Sequence, residues 1–422
     1  MNEHDVEKAA SLLDVAGFEA ASSPEAAGVV IVNTCCIRQK AEQKFYSLMG
    51  RLKRLKAKRS LVLGVTGCIA QMEKGAIAER LPFIDFALGP ASIHLVGDAV
   101  KAGLRGERTL DFSENGCLSS LYVRPGNAQR KVKSYVTIMK GCDNFCAYCV
   151  VPYVRGREAS RKSADVIEEV EELAASGAKE VVLLGQNVNS YNKGTDDLSF
   201  AELLERIDGI AGVERIRFVT SHPKDLSDGL IGCFGRLGRL CEHIHLPFQS
   251  GSDKVLRSMN RGYTRDEYEE KIGKLKEKCP GIAITADCIV GFPGEDEEDF
   301  RSTMELVERT RFDGIFSFCF SPRKRTAAAS LPDKVPPDAA RSKLRALQEL
   351  QKGITREKFE GMEGIRVEVL VEGFSKNSRE ELAGRTRTNR IVNFRGPVHM
   401  IGKLVEVEIV KGFANSLRGA DA

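Results

Sequence analysis

The chain has 422 residues, 42% of them hydrophobic and 29% charged, with a formal net charge of +4. That length fits two to four domains with cores of their own, and the composition is that of an ordinary soluble protein. No run approaches the ~20 apolar residues of a membrane span, the polar start Met1-Asn2-Glu3-His4-Asp5 is not a secretory signal, and the small net charge selects no partner.

In chain order, residues 5–16 carry an amphipathic helix pattern. Residues 28–34 read as a buried strand, 40–58 as a very basic helix, 61–68 as a second strand ending in a cysteine, and 84–88 as a third. This alternation predicts an α/β domain with a doubly wound parallel sheet. Residues 104–133 are polar and irregular and read as a linker. Residues 135–139 form a strand that runs straight into a cysteine-rich loop. Further strands are expected at 180–184, 215–219, 243–246, 282–289 and 314–320, with helices such as 164–176 and 265–279 between them. About six strand–helix units predict a partial TIM-like barrel, whose chemistry sits on loops after the strands' C-terminal ends. A charged helix at 338–359 leads into strands at 365–373, 380–386, 391–394 and 404–411, the texture of a small OB-like all-β barrel.

The run Gly141-Cys142-Asp143-Asn144-Phe145-Cys146-Ala147-Tyr148-Cys149 places three cysteines at C-x3-C-x2-C spacing on the first barrel loop. Three soft thiolates can hold three irons of a four-iron cluster and leave the fourth open. An amino acid can chelate that iron, and if it is S-adenosylmethionine an electron can cleave it to a carbon radical. A zinc loop would need a fourth Cys or His at ligand spacing, and the nearest downstream histidine is His222. Three inert core cysteines are the other alternative. Cys35 and Cys68 end the first two strands, where ligand groups can converge in one crevice, although strand-end cysteines alone are more often core. Twelve cysteines without an export signal, several in ligand-like spacings, suit a reducing cytoplasm. Cys233, Cys241, Cys279, Cys288 and Cys319 stand singly among apolar residues and read as core.

The cysteine loop resembles the radical-SAM superfamily. Together with Asn33-Thr34-Cys35, Gly67-Cys68-Ile69-Ala70-Gln71, Arg155-Gly156-Arg157-Glu158 and Ser160-Arg161, it is similar to the methylthiotransferase family of those enzymes over essentially the whole chain. Gly185-Gln186-Asn187-Val188-Asn189-Ser190-Tyr191 resembles the family's MiaB branch, which modifies tRNA. The resemblance implies a methylthiotransferase N-terminal domain (1–115), a radical-SAM domain (128–358) and a TRAM domain (361–422). It implies transfer of a methylthio group to C2 of N6-isopentenyl-adenosine beside the tRNA anticodon, with two molecules of S-adenosylmethionine. Cys142, Cys146 and Cys149 would hold the radical-generating four-iron cluster, and Cys35 and Cys68 an auxiliary four-iron cluster that presents sulfur. Tyr148, Gly185, Gln186, Asn187, Ser221, His222, Gln249 and Asp287 lie in runs that resemble the cofactor pocket, with His222 and His245 expected as hydrogen-bonding residues rather than metal ligands. Expected partners are the tRNA anticodon stem-loop and an electron donor such as flavodoxin or ferredoxin, with no membrane; the enzyme is expected to be a cytoplasmic monomer. The rivals are a methylthiotransferase acting on threonylcarbamoyl-adenosine or a ribosomal protein, and a non-catalytic iron–sulfur RNA-binding protein.

Two departures and one charge pattern complete the reading. The family carries a third auxiliary cysteine in a Gly-Cys-Gln-Met-Asn motif, and Met1-Asn2 matches only its end. The glycine, cysteine, glutamine and whole first strand are absent, and the expectation is a start codon placed too late or a truncated chain; otherwise the auxiliary cluster is defective, or Cys36 or Cys117 substitutes. Ser321-Pro322-Arg323-Lys324-Arg325-Thr326 stands where the family reads Ser-Pro-Arg-Pro-Gly-Thr, which puts the turn there in question. Three basic runs are candidate RNA contacts: the helix end from Arg51 to Arg59, then Arg155, Arg157, Arg161 and Lys162, and finally Arg385, Arg387, Arg390 and Arg395.

Overall fold

The computed structural model describes residues 2–34, 39–113, 132–376 and 378–421. Cys35, Cys36 and Cys117 lie outside the described residues, as does most of the expected linker. Strands β1 (Val29–Thr34), β2 (Val62–Gly67), β3 (Phe86–Leu88) and β4 (Thr109–Asp111) form a parallel sheet in that order. On one face, Phe45, Met49 and Leu52 of helix Gln39–Lys56 pack on Leu63 and Val65. On the other, Leu12 and Leu13 of helix Asn2–Val15 join Val96, Ala99 and Val100 of helix Val96–Leu104 over Val62, Phe86 and Leu88. Helices on both faces make the sheet doubly wound, as expected. Strand β4 lies inside the stretch read as linker; three residues are too few to show a period.

The chain then runs through β5 (Lys133–Thr137), a ribbon of β6 (Met139–Lys140) and β7 (Ala159–Ser160), β8 (Glu180–Leu184) and β9 (Arg215–Phe218). Strands β10 (His243–His245), β11 (Ala283–Val290) and β12 (Gly314–Cys319) follow. The parallel sheets β5-β8-β9 and β10-β11-β12 are joined by a bridge between Ile216 and Leu240 into one six-stranded arc. Its outer face shares a core with the helices: Val166, Leu203, Ile272, Leu306 and Leu347 pack with Val181, Leu183, Ile216, Ala286 and Cys288. Along β11 the alternate residues Thr285, Asp287 and Ile289 therefore face the inside of the arc. Among these helices, Arg265–Lys278 begins at a capping box of Thr264 and Glu267.

Helix Pro337–Glu360 leads to a closed barrel of β13 (Arg366–Phe374), β14 (Leu382–Thr386), β15 (Ile391–Phe394), β16 (Leu404–Gly412) and β17 (Leu417–Gly419). The sequence predicted four of these strands. The fifth, β17, is again three residues long, and it pairs with β15 and β16 to close the sheet and remove its edges.

The barrel docks on the N-terminal ends of the arc's strands through buried arginines. Arg217 binds Glu180 at 2.8 Å and donates to the carbonyls of Thr386 and Arg387 at 2.7 and 2.9 Å. Arg215, fully buried, reaches Glu368 at 2.9 Å. In return Arg387 grips both oxygens of Glu242, and Arg390 pairs with Asp313 at 2.7 Å. These contacts correct the reading of the last basic run for three of its four arginines. Arg385, Arg387 and Arg390 are committed inside the protein, Arg385 to Glu372 at 3.2 Å, whereas the Arg395 side chain is 59% exposed. Arg155 pairs with Asp5 and Arg161 with Glu169, both pairs largely buried, whereas Arg157 pairs with Asp143 at the surface with its side chain 77% exposed. Lys56 pairs with Asp85, and Arg59 donates to the carbonyls of Glu25 and Ala27.

Candidate functional site

The ribbon of β6 and β7 closes the base of the cysteine loop at the C-terminal end of the arc's first strand. Gly141 turns the chain at φ +75°, and a Cβ there would lie 1.9 Å from the Arg157 carbonyl oxygen, so only glycine fits. The loop is also held from behind. The Ala147 N–H donates to the Met259 carbonyl at 2.8 Å, and Asn260 Nδ2 donates to the carbonyls of Asn144 and Phe145 at 3.3 and 3.0 Å. Arg261 Nη1 lies 3.3 Å from Cys146 Sγ.

Burial pushes the Cys142 thiol up to about 11 and the Cys149 thiol up to about 12. A bare thiolate is therefore disfavoured, and a cationic metal is what would hold the sulfurs ionised. Donors already aim at them: Asn144 Nδ2 at 3.7 Å from Cys142, the Val151 N–H at 3.5 Å from Cys149, and Arg261 at Cys146. Among the described residues no three Cys, His, Asp or Glu side chains converge on a single-ion centre. Three thiols on one loop, each met by a donor, can ligate three irons of a four-iron cluster.

The loops after β8, β9 and β10 supply most of the other expected residues. Gly185 lets the chain pass Met139, whose Cγ would lie 2.5 Å from any Cβ. Gln186 Oε1, Asn187 Oδ1, Asn189 Oδ1, Ser221 Oγ and Gln249 Oε1 are buried without a hydrogen-bond partner among the described residues. Each such atom costs roughly 1–3 kcal/mol. Nearly all are acceptors, so they fit a ligand rich in donors, such as the ammonium, ribose hydroxyls and adenine amine of S-adenosylmethionine. Tyr148, its phenol pushed up by burial, packs beside this region with Ile289 and receives Arg261 at 3.3 Å.

Asp225 ties these loops together. It accepts from Asn187 at 2.7 Å and Lys193 at 2.9 Å, and Asn144 of the cysteine loop lies 3.4 Å away. Burial alone would raise this carboxyl, but Lys193 and Asn187 outweigh it and hold it below the usual range. His222 Nδ1 accepts from the Lys224 N–H at 3.2 Å, which leaves the proton on Nε2, 3.9 Å from Cys146 Sγ. Burial lowers its pKa to about 2, so the ring is neutral. Asp287 meets the pocket through its carbonyl, which accepts from the Gln249 N–H at 2.9 Å; its carboxylate lies 3.5 Å from His245.

Cys68 opens helix Cys68–Glu73 directly after β2 and is buried. Thr34 Oγ1, at the end of β1, donates to the Thr66 carbonyl at 2.8 Å and accepts from the Ile69 N–H at 3.1 Å, which locks the two strand ends together. Arg155, on the helix Val151–Arg155 that follows Cys149, pairs with Asp5 at 2.6 Å and bonds the Cys68 thiol. Val150 and Val154 beside it pack into the same core as Met49, Ile69 and Ala70. One short helix thus connects the two cysteine sites. Cys35, the other expected auxiliary ligand, lies outside the described residues.

The segment Met259-Asn260-Arg261-Gly262-Tyr263 was missed in the sequence. Its signal was an Arg between the turn formers Asn and Gly directly after a helical pattern, with no contact readable from spacing.

Three family models match the chain: "Uncharacterized protein family UPF0004" over residues 1–89, "Radical SAM superfamily" over 136–307 and "TRAM domain" over 360–420. The chain is 50% identical over 422 residues to the tRNA-2-methylthio-N(6)-dimethylallyladenosine synthase of Geobacter metallireducens, a match covering 99% of this chain and 95% of that one. It is 49% identical to the protein of the same name from Syntrophus aciditrophicus, over 99% and 92% of the two chains. Among solved structures, the radical S-adenosylmethionine methyltransferase TsrM from Kitasatospora setae shares the fold at 14% identity and a TM-score of 0.55, over 76% of this chain and 66% of that one.

Proposed function

The chain belongs to the family of tRNA-2-methylthio-N(6)-dimethylallyladenosine synthases, radical-SAM enzymes, and from that premise we infer how its own residues divide the work. The reaction replaces the C2 hydrogen of an N6-isopentenyl adenosine beside the tRNA anticodon by a methylthio group. Such a C–H bond resists acid–base chemistry near neutral pH. When bound, the four-iron clusters supply what no side chain can: an electron that splits S-adenosylmethionine, and a sulfur for insertion.

Cys142, Cys146 and Cys149 hold the radical-generating cluster. Gln186, Asn187, Asn189, Ser221 and Gln249 accept the donors of S-adenosylmethionine, and His222, Tyr148 and Gly185 shape that pocket. Cys68, with Cys35, serves the auxiliary cluster, and Arg155 holds the two sites in register. The work divides over residues 1–115 for sulfur, 128–358 for the radical and 361–422 for RNA. The exposed cations Lys376, Arg379, Arg395, Lys403 and Lys411 of the β-barrel face the phosphates. A flavodoxin- or ferredoxin-like protein donates the electron, and the enzyme works as a cytoplasmic monomer. Among the described residues no helix is long and apolar enough to cross a membrane.

The observation that carries this assignment is the set of five orphaned polar atoms on the strand ends beside the three-thiol loop. Its test is nucleoside analysis of tRNA from a strain that lacks this activity and expresses this chain. Return of 2-methylthio-N6-isopentenyladenosine in the wild type, and its loss with Asn187→Ala combined with Ser221→Ala, is expected. Return of a methylthiolated threonylcarbamoyl-adenosine instead would overturn the substrate.

A further inference from the structure

We propose that Arg261 is a positioning residue that raises the reduction potential of the cluster held by Cys142, Cys146 and Cys149, acting through the Cys146 sulfur. This rests on the assignment of those three cysteines as cluster ligands. Arg261 is 4% exposed, and its bonds go to the Tyr263 hydroxyl at 3.1 Å, the Tyr148 hydroxyl at 3.3 Å, the Pro247 carbonyl at 2.8 Å and Cys146 Sγ at 3.3 Å. No carboxylate pairs with it among the described residues. A buried cation without a counter-charge is costly, and buried charges are paired or set against metal sites. The anion it would face is the cluster-bound thiolate of Cys146.

The three sulfurs are not equivalent. Cys142 and Cys149 meet neutral donors, from Asn144 and the Val151 N–H, whereas Cys146 meets a guanidinium and, 3.9 Å away, the Nε2–H of His222. One-electron reduction adds one negative charge to the cluster and its ligands. The electron comes from a low-potential one-electron donor; no bond breaks and no proton moves. A fixed positive charge against one ligand favours the more negative state and so raises the potential. Arginine stays charged throughout the working pH range, so its contribution does not vary with pH.

The test is a redox titration, followed by electron paramagnetic resonance, of the anaerobically reconstituted full chain, with iron counted per chain. Arg261→Gln and Arg261→Met remove the charge; Arg261→Lys keeps it but cannot reproduce the fork of bonds to Pro247 and Tyr263. The midpoint should move to more negative values in the two neutral variants and stay close to wild type in the lysine variant. A neutral variant with full iron and an unchanged midpoint overturns the proposal, as does a lysine variant displaced as far as the neutral ones. If both neutral variants lose iron, retention of iron by the lysine variant supports the charge, and its loss there too overturns it in favour of a purely structural role. Failure of the underlying assignment looks different: the variant with Cys142, Cys146 and Cys149 replaced by alanine would keep the full iron count and the whole wild-type signal, instead of falling to the auxiliary cluster's share.

Discussion

Arg325 stands where the resembling family carries glycine, and its backbone keeps a left-handed φ of +71°. The Thr326 N–H donates to the Arg323 carbonyl at 3.2 Å, so the turn survives the substitution and bears the strain of a Cβ. That strain is about 1–2 kcal/mol. Arg325→Gly should therefore stabilise the chain by about 1 kcal/mol, read as a higher denaturation midpoint at constant slope; a lower midpoint would mean that the turn is not strained. His243 makes a second residue-level case. Burial, then Arg217 and neighbouring charges, lower its pKa to about 3. The unfolded chain carries an ordinary imidazole near ~6.5. Between those values the unfolded state binds more protons, so stability rises with pH by up to about 1.4 kcal/mol per unit. His243→Gln should flatten that rise, and parallel stability curves for the two proteins would refute the assignment.

The elements show what sequence can and cannot reveal. Strands β8 and β15 were legible residue for residue: Val181-Val182-Leu183-Leu184 is an apolar run closed by Gly185, and Ile391-Val392-Asn393-Phe394 is a short apolar-rich stretch between the turn formers Asn389 and Gly396. Strands β4 and β17 were not, since three residues carry no period and each exists only by pairing with neighbours. The cysteine loop and the polar strand ends were legible through spacing and resemblance. The clamp behind them, Met259 to Tyr263, was not, because its partners are distant in the chain. The C-terminal arginine run misled for the same reason: Glu242 and Asp313, which neutralise Arg387 and Arg390, belong to other elements. Arg217→Ala leaves Glu180 buried without its partner and should cost about 3–5 kcal/mol in chemical denaturation. Arg395→Glu should leave that stability unchanged but weaken tRNA binding and reduce its log–log salt slope by about 0.9. An unaltered slope would take Arg395 off the RNA surface.

At the scale of the molecule, two cysteine sites in different folding units meet through the helix Val151–Arg155, whose Arg155 spans to Asp5 and Cys68. The β-barrel sits at the opposite end of the arc, on the N-terminal ends of its strands. The RNA contacts proposed on the barrel would therefore lie away from the loops where the chemistry is assigned, and a tRNA held there would have to extend past the arc to place its adenosine at them. On this assignment the loop cysteines start a radical reaction that ends in methylthiolation. Its most direct test follows 5′-deoxyadenosine and methylthio-nucleoside together, in anaerobic reactions of the reconstituted chain with S-adenosylmethionine, a reductant and isopentenylated tRNA. The wild type should form both products. The variant with Cys142, Cys146 and Cys149 replaced by alanine should lose one cluster's iron and form neither. Formation of 5′-deoxyadenosine by that variant at the wild-type rate would contradict the account.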